Sequence, residues 1–235
     1  MAVEDVMQPR RSRPPSAVAK APSEPNRSFL RDNGLTLALA VMFVLSFIGM
    51  VGTGEAANNA TRLEHGQPAL TLLAYLASGE FLSALFENWE SEFLQMATYV
   101  VLTAMLFQRG SSESRDPDTP HRPDDALPWR ERYPLLGWLY AHSLGLTLAL
   151  LFVASFVLHW AFSMVAANAE AARHGAEAET LFSYLFDAQL WFESFQNWQS
   201  EFLSTAVLVV LSIFLRQEGS PESKPLAASN SQTGE

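Results

Sequence analysis

The chain has 235 residues, of which 49% are hydrophobic and only 17% charged, and this balance favours a membrane protein because soluble domains carry about a quarter charged residues. Its net charge of −10 argues against nucleic acid as a partner, since phosphate binding needs clustered Lys and Arg. The absence of cysteine excludes disulfides, cysteine zinc sites, thiol catalysis and iron–sulfur clusters.

The first predicted element is an apolar helix that follows a tail rich in Pro, Ser and Arg. We predict that the tail, residues 1–30, is disordered because it could not bury enough surface to offset its ordering entropy. The uncharged run at 35–53 is long enough to cross about 30 Å of hydrocarbon. A cleaved signal peptide is the alternative, but a second copy of the run at 144–165 argues against it.

A nine-residue motif occurs twice, with the two copies 109 residues apart. The copies at 86–94 (FENWESEFL) and 195–203 (FQNWQSEFL) are identical at seven positions, and both differences exchange Glu for Gln. We interpret them as an internal duplication. Each copy leads into an apolar run, and the predicted spans 89–107 and 198–215 must include part of the motif to be long enough for a bilayer.

The duplication divides the chain into two repeats. Repeat 1 covers 31–109 and repeat 2 covers 140–218, with a polar linker at 110–139 and a second disordered tail at 219–235. Before its second span each repeat has a short apolar segment that carries an acid, 69–86 in repeat 1. We expect an amphipathic helix on the outer face from such a segment, and the sequence leaves open whether it lies on the membrane or dips into it.

Basic residues lie almost entirely on one side of the predicted spans. Of the 15 Lys and Arg, six precede the first span, five are Arg109 and the four arginines of the linker, and two follow the last span, which leaves only Arg62 and Arg173 in the other loops. The positive-inside rule then places both termini and the linker in the cytoplasm. A third span in each half would put the linker opposite the N-terminal tail. We therefore predict an all-α bundle of four transmembrane helices in two parallel repeats, each with an extra amphipathic outer-face helix.

The motif F-x-N-W-x-S-E-F-L, followed by an apolar helix and a Gln-x-Gly-Ser-x-Glu-Ser exit, resembles a family of small bacterial membrane proteins. It is one of the domain-of-unknown-function families, and the resemblance covers roughly residues 30–225. The resemblance implies a multi-pass protein of the bacterial inner membrane. It implies no activity and supplies no catalytic residue to carry over.

Four polar residues of the motif define a candidate polar cleft, namely Asn88, Glu92, Asn197 and Glu201. A carboxylate near the hydrocarbon edge is costly unless it is paired, protonated or wet. One interpretation is therefore a cleft between the repeats that relays protons or binds a cation or a small polar solute. The other is that the amides bond to neighbouring helices, Trp89 and Trp198 anchor the protein at the interface, and the carboxylates reach headgroup water.

The histidines give only a weak indication of a metal site. His65 and His174 correspond across the repeat and could form a two-histidine, two-carboxylate metal site with Glu92 and Glu201. The Glu-x-x-His pairing of di-metal bundles is absent, so we predict no metal and no cofactor. His159 has no counterpart in the first span, and we expect it to pack with a hydrogen bond to a neighbouring residue.

The sequence therefore predicts a multi-pass membrane protein with the lipid bilayer as its partner and a non-enzymatic structural or interaction role in the cell envelope. The alternative is a small transporter or channel-like protein with Glu92 and Glu201 in a polar path between the repeats. An intramembrane enzyme ranks last because no phosphate loop, nucleophile elbow or paired metal-ligand motif is present. The chain could form a homo-oligomer, and its substrate, protein partner and copy number stay open.

Overall fold

The structure is a computed structural model that describes residues 29–119 and 128–234. The regular elements of these residues are all helical, which confirms the predicted all-α class. Apart from a 3₁₀ turn at Pro128–Arg130, they are α1 (Phe29–Asp32), α2 (Gly34–Glu64), α3 (Leu72–Leu76), α4 (Gly79–Met105), α5 (Pro134–Ala141), α6 (Ser143–Arg173), α7 (Leu181–Tyr184) and α8 (Ala188–Phe214). Most of the predicted N-terminal tail, residues 1–28, lies outside the described residues.

The helix boundaries follow the spacing of the sequence motif. Helices α2 and α6 have 31 residues each, and α4 and α8 have 27 residues each. The members of each pair begin 109 residues apart, as do the short helices α3 and α7. Two stretches of sequence with this correspondence therefore form the same succession of long, short and long helices.

The chain divides into two compact units, Met1–Ile48 and Gly49–Glu235. The described part of the first unit consists of α1 and the first half of α2, neither of which has a buried residue. The second unit contains the rest of α2 and all later elements. Its core is organised around α4, which packs most extensively against α6 and over a shorter contact against α8.

Two helices, α2 and α6, are long and apolar enough to cross a membrane. They contain the predicted first and third spans, 35–53 and 144–165. Helices α4 and α8 begin ten residues before the tryptophans at which we expected them to start. The residues before these tryptophans include Glu80 and Glu87 in α4 and Glu193 in α8, whereas the parts of both helices that follow the motif carry no charge.

The segment 69–86 differs from the single amphipathic helix that we expected. The chain leaves α3 after one turn, and the side chain of Ser78 then caps a new helix by accepting the backbone N–H of Phe81. Because this cap starts α4 at Gly79, the second half of the segment becomes the first turns of the long helix. Asp187 caps α8 in the corresponding place. The extra helix before the second long helix of each repeat is therefore a short element, α3 or α7.

Helix α4 approaches α6 closely where α4 begins. A Cβ atom on Gly79 would lie 2.7 Å from the backbone nitrogen of Ala166 and 3.1 Å from the backbone oxygen of Phe162. A residue without a side chain is needed for two helix backbones to come this near. The contact holds the acidic first turns of α4 against the second half of α6.

The C-terminal segment also differs from the prediction of disorder, since residues 219–234 fold as turns against the exit of α4. Lys224 is 2% exposed, and its ammonium group lies within hydrogen-bond distance of the backbone oxygens of Gly110, Ser229, Asn230 and Gln232. Helix α5 begins within the linker and ends just beyond it, at Ala141.

Candidate functional site

A buried Glu–His pair joins α4 to α6. Glu90 and His159 are both 0% exposed, and Nδ1 of His159 donates to Oε2 of Glu90 over 2.6 Å. The other oxygen of Glu90 accepts the indole N–H of Trp198, on α8, at 2.9 Å. A carboxylate removed from water is costly unless hydrogen bonds and charge compensate it, and here both of its oxygens have partners from neighbouring helices.

The other nitrogen of His159 faces a second carboxylate. Nε2 lies 3.4 Å from Oε2 of Glu193, which is longer than a well-formed N–H···O hydrogen bond. Glu193 also accepts hydrogen bonds from the Ser163 hydroxyl at 3.0 Å and from the Gln189 amide at 2.8 Å. Its carboxylate is therefore held in place by neutral donors while one oxygen points at the imidazole.

Glu87 completes the cluster from α4. Its carboxylate accepts a hydrogen bond from the side-chain amide of Asn197. One ligating atom from each of Glu87, His159 and Glu193 lies within 4.8 Å of the other two. We call these three residues together with Glu90 the Glu–His cluster.

The carboxylates of Glu87 and Glu193 differ in acidity. Burial raises the pKa of Glu87, and repulsion from Glu193 adds to this shift. Burial acts in the same direction on Glu193, but the neighbouring His159 ring and the hydrogen bonds from Gln189 and Ser163 outweigh it and lower the pKa of Glu193. Glu193 is therefore the one of the two that stays ionised more readily.

A cavity of about 430 Å³ leads to the Glu–His cluster. Its lining includes four carboxylates and one guanidinium, from Glu80, Glu87, Glu170, Glu193 and Arg173. Arg173 forms ion pairs with Glu80 at 3.1 Å and with Glu170 at 2.5 Å. Within residues 29–119 and 128–234, no Lys or Arg forms an ion pair with Glu87, Glu90 or Glu193.

The structure divides the residues that the sequence predicted for the polar cleft. Asn197 and Trp198 both contact the Glu–His cluster, through Glu87 and Glu90 respectively. Trp198, which we predicted as an interface anchor, donates its indole N–H to the buried carboxylate of Glu90.

The other predicted residues lie outside the cluster. Asn88, Trp89 and Glu92 are exposed on α4, and the Asn88 amide bonds to a backbone oxygen of its own helix. Glu201 is half-buried on α8, where its backbone oxygen accepts the side-chain amide of Gln95. This bond joins α4 to α8 through main-chain and neutral groups, not through the carboxylate of Glu201.

The structure does bring His65 and His174 together, with their ring centroids 6.1 Å apart. His65 bonds through Nδ1 to a backbone oxygen of its own helix, and His174 bonds through Nε2 to Glu170 at 2.7 Å. Their hydrogen bonds do not involve the two carboxylates that we had grouped with them, Glu92 and Glu201.

Sequence reasoning missed all four residues of the cluster, because it looked for what the two copies share, and Glu193, for example, corresponds to Ala84. Glu87 and Glu90 are the positions at which the copies differ, since the second motif has Gln196 and Gln199 there. His159 likewise lacks a counterpart. Ionisable residues present in one copy alone were the available signal, and the structure places these four side by side.

Comparison with known proteins identifies the family to which the chain belongs. No curated protein and no solved structure matches the chain. The family model of a domain of unknown function, DUF6766, matches residues 26–235. This range contains every helix described above, so the Glu–His cluster lies inside the matched domain. The chain therefore belongs to the DUF6766 family.

Proposed function

We propose that this chain is a multi-pass protein of the bacterial cell membrane that admits a cation from the outer face, as a small transporter or channel-like protein. The observation that carries the proposal is the fully buried Glu90–His159 pair beside an acidic cavity. Ionisable groups inside membrane helices are costly, and they commonly mark the paths of ions and substrates.

The proposed topology has four spans in two parallel repeats, with both termini and the linker in the cytoplasm. The equal lengths and common 109-residue spacing of the paired helices support the repeat. The basic residues, concentrated in the tails and the linker, support the orientation. The apolar later parts of α4 and α8 would be the second span of each repeat.

This topology puts the acidic cavity on the outer side. The cavity is lined by the end of α6 and the first turns of α4 and α8, which are the outer ends of those helices in the proposed arrangement. A concave surface with an excess of carboxylates raises the local concentration of cations. The cavity would therefore attract a cation and direct it to the Glu–His cluster.

The proposal keeps the transport alternative but changes its residues. Glu87, Glu90 and Glu193 take the role first assigned to Glu92 and Glu201, because they face the cavity or the buried imidazole while Glu92 is exposed. The proposed role is non-enzymatic.

A structural role in the envelope is the competing function, and one observation favours it. The hydrogen bonds of Glu90 connect α4 to both α6 and α8, as a network that only fixes helix positions would do. The two functions differ in their response to cations, because a structural network needs no exchange of ions with the outside.

The test is a cation-jump experiment on the full-length protein in liposomes adsorbed to a solid-supported membrane. Steps in Na⁺, K⁺, Mg²⁺, Mn²⁺ or Zn²⁺ concentration should give a transient current for at least one ion. Glu193→Gln should reduce this current at least about tenfold, and Glu92→Gln should leave it unchanged. Absence of current with every ion, from a protein that is folded and inserted, would favour the structural role.

A further inference from the structure

The structure assigns a binding site for a divalent transition-metal ion to Glu87, His159 and Glu193. The inference deepens the proposed function, since it names the class of cation, but binding itself can be measured whether or not the ion is transported. The ligands would be Nε2 of His159 and one carboxylate oxygen from each glutamate. Helices α4, α6 and α8 supply one ligand each.

The distance between two of these ligands already suits a metal ion. Nε2 of His159 is 3.4 Å from Oε2 of Glu193. Two ligands that are each about 2.1 Å from a tetrahedral ion are about 3.4 Å apart. One ligating atom from each of Glu87, His159 and Glu193 lies within 4.8 Å of the other two, and a shift of the Glu87 side chain towards the ion would complete a three-ligand set.

Glu90 is placed to hold the histidine ligand in position without binding the ion itself. Metal-binding histidines usually donate their second N–H to a carboxylate, which fixes the tautomer and leaves the other nitrogen for the metal. Nδ1 of His159 donates to Glu90 over 2.6 Å, so its Nε2 is directed at Glu193 and Glu87. Trp198 holds Glu90, and Ser163 and Gln189 hold Glu193.

The balance of charge also points to a cation. Three carboxylates surround one imidazole, and within the described ranges none of them has a Lys or Arg as ion-pair partner. Arg173, the one basic residue that lines the cavity, is paired with Glu80 and Glu170. Buried negative charge in excess needs compensation, and a divalent ion would supply it at the point where the three ligands converge.

The ligand types narrow the choice of ion. Imidazole nitrogen favours Zn²⁺, Fe²⁺, Ni²⁺ or Cu²⁺, whereas carboxylates alone suit Mg²⁺ and Ca²⁺. The mixed set therefore fits first-row divalent ions such as Zn²⁺, Fe²⁺ and Mn²⁺. Cu⁺ is disfavoured because it selects thiolate and thioether ligands. Three protein ligands leave coordination positions for water from the cavity, as in sites that exchange their ion.

The test is metal binding to the purified full-length protein in detergent, stripped with a chelator and titrated with Zn²⁺ or Mn²⁺. We expect about one ion per chain. Glu193→Gln and His159→Asn should each weaken binding at least about 100-fold. Glu90→Gln should weaken it about 10–100-fold, because Glu90 orients His159 without binding the ion. Glu87→Gln introduces the residue found at this position of the second motif and tests the third ligand. The variant keeps a side-chain oxygen that can accept the hydrogen bond from Asn197.

Two controls locate the ion. Glu92→Gln changes an exposed carboxylate of the same motif, and a His65→Asn, His174→Asn double variant removes the other histidine pair; neither should alter binding. The inference is overturned if no saturable binding is seen, or if the cluster variants bind as tightly as wild type. Saturable binding without any cation-driven current would leave this inference intact and refute the transport function. Current without saturable binding would overturn this inference and support the transport function.

Discussion

Glu90 and Gln199 occupy the same position in the two copies of the motif, yet Glu90 is fully buried against His159 whereas Gln199 is exposed on α8. Two helices with closely related sequences and equal lengths therefore have different environments. The ionisable groups of the site belong to an asymmetric contact among α4, α6 and α8, and the rest of the repeat provides its frame.

This difference predicts unequal effects of the same substitution. Glu90→Ala should lower the free energy of unfolding by about 3 kcal/mol or more, because it leaves a buried imidazole without its carboxylate. Gln199→Ala should change it by less than about 0.5 kcal/mol, as an exposed substitution. Unfolding titrations in mixed micelles would measure both, and similar values for the two variants would show that the Glu90–His159 pair is not a stabilising contact.

The close approach of α4 to α6 predicts that replacing Gly79 with a larger residue destabilises the fold. Gly79→Ala should destabilise the fold by about 1–3 kcal/mol, because the new methyl group would be forced against the backbone of Ala166. Gly52→Ala is the matched control, since apart from the backbone of its own helix no atom of the described residues lies within 4 Å of its added Cβ. There the better helix propensity of Ala should raise stability by up to about 1 kcal/mol. Melting curves that rank the two variants in the reverse order would contradict the packing described here.

The proposed topology predicts which positions react with a membrane-impermeant thiol reagent. Single cysteines are clean reporters because the chain has none of its own. Glu64→Cys and Glu177→Cys should be labelled in intact cells, whereas Thr119→Cys and Ser231→Cys should react only after the membrane is opened. Labelling of Thr119→Cys in intact cells would instead support three spans in each half.

The C-terminal turns predict a local effect of Lys224. Replacing it with Met should open residues 219–234, because the ammonium group lies within hydrogen-bond distance of four backbone oxygens there and at Gly110. Hydrogen–deuterium exchange of this segment should accelerate, and Glu218→Gln, an exposed neighbour, should leave it unchanged. Equal exchange in wild type and Lys224→Met would show that the tail is held by other contacts.

The sequence predicted the long helices well because their signal is local. Apolar runs and the repeated motif predicted the positions of both pairs of long helices. The 109-residue spacing predicted that α2 corresponds to α6 and α4 to α8. The start of α4 was misplaced because a single capping residue, Ser78, determines it. The order of the C-terminal segment was missed for a related reason: its composition is typical of disorder, while its contacts with Gly110 cross more than a hundred residues of sequence.

The candidate site was harder to predict because it depends on which helices meet. Symmetry suggested a polar cleft between the repeats that the shared residues Glu92 and Glu201 would face. In the structure α4 turns Glu87 and Glu90 towards α6, and its extensive contact with that helix brings in His159. Pairing across the repeats is a tertiary property, so no pattern within one copy of the motif could reveal it.

The most direct test of the central claim is X-ray absorption at the zinc edge of the Zn²⁺-loaded protein. If Glu87, His159 and Glu193 bind the ion, the spectrum should show oxygen and nitrogen ligands at about 2.0–2.1 Å, with the outer-shell scattering of one imidazole. That imidazole signal should disappear in His159→Asn and persist in the His65→Asn, His174→Asn double variant. Scattering from two imidazoles, lost with His65 and His174, would place the metal at the exposed histidine pair and contradict the account.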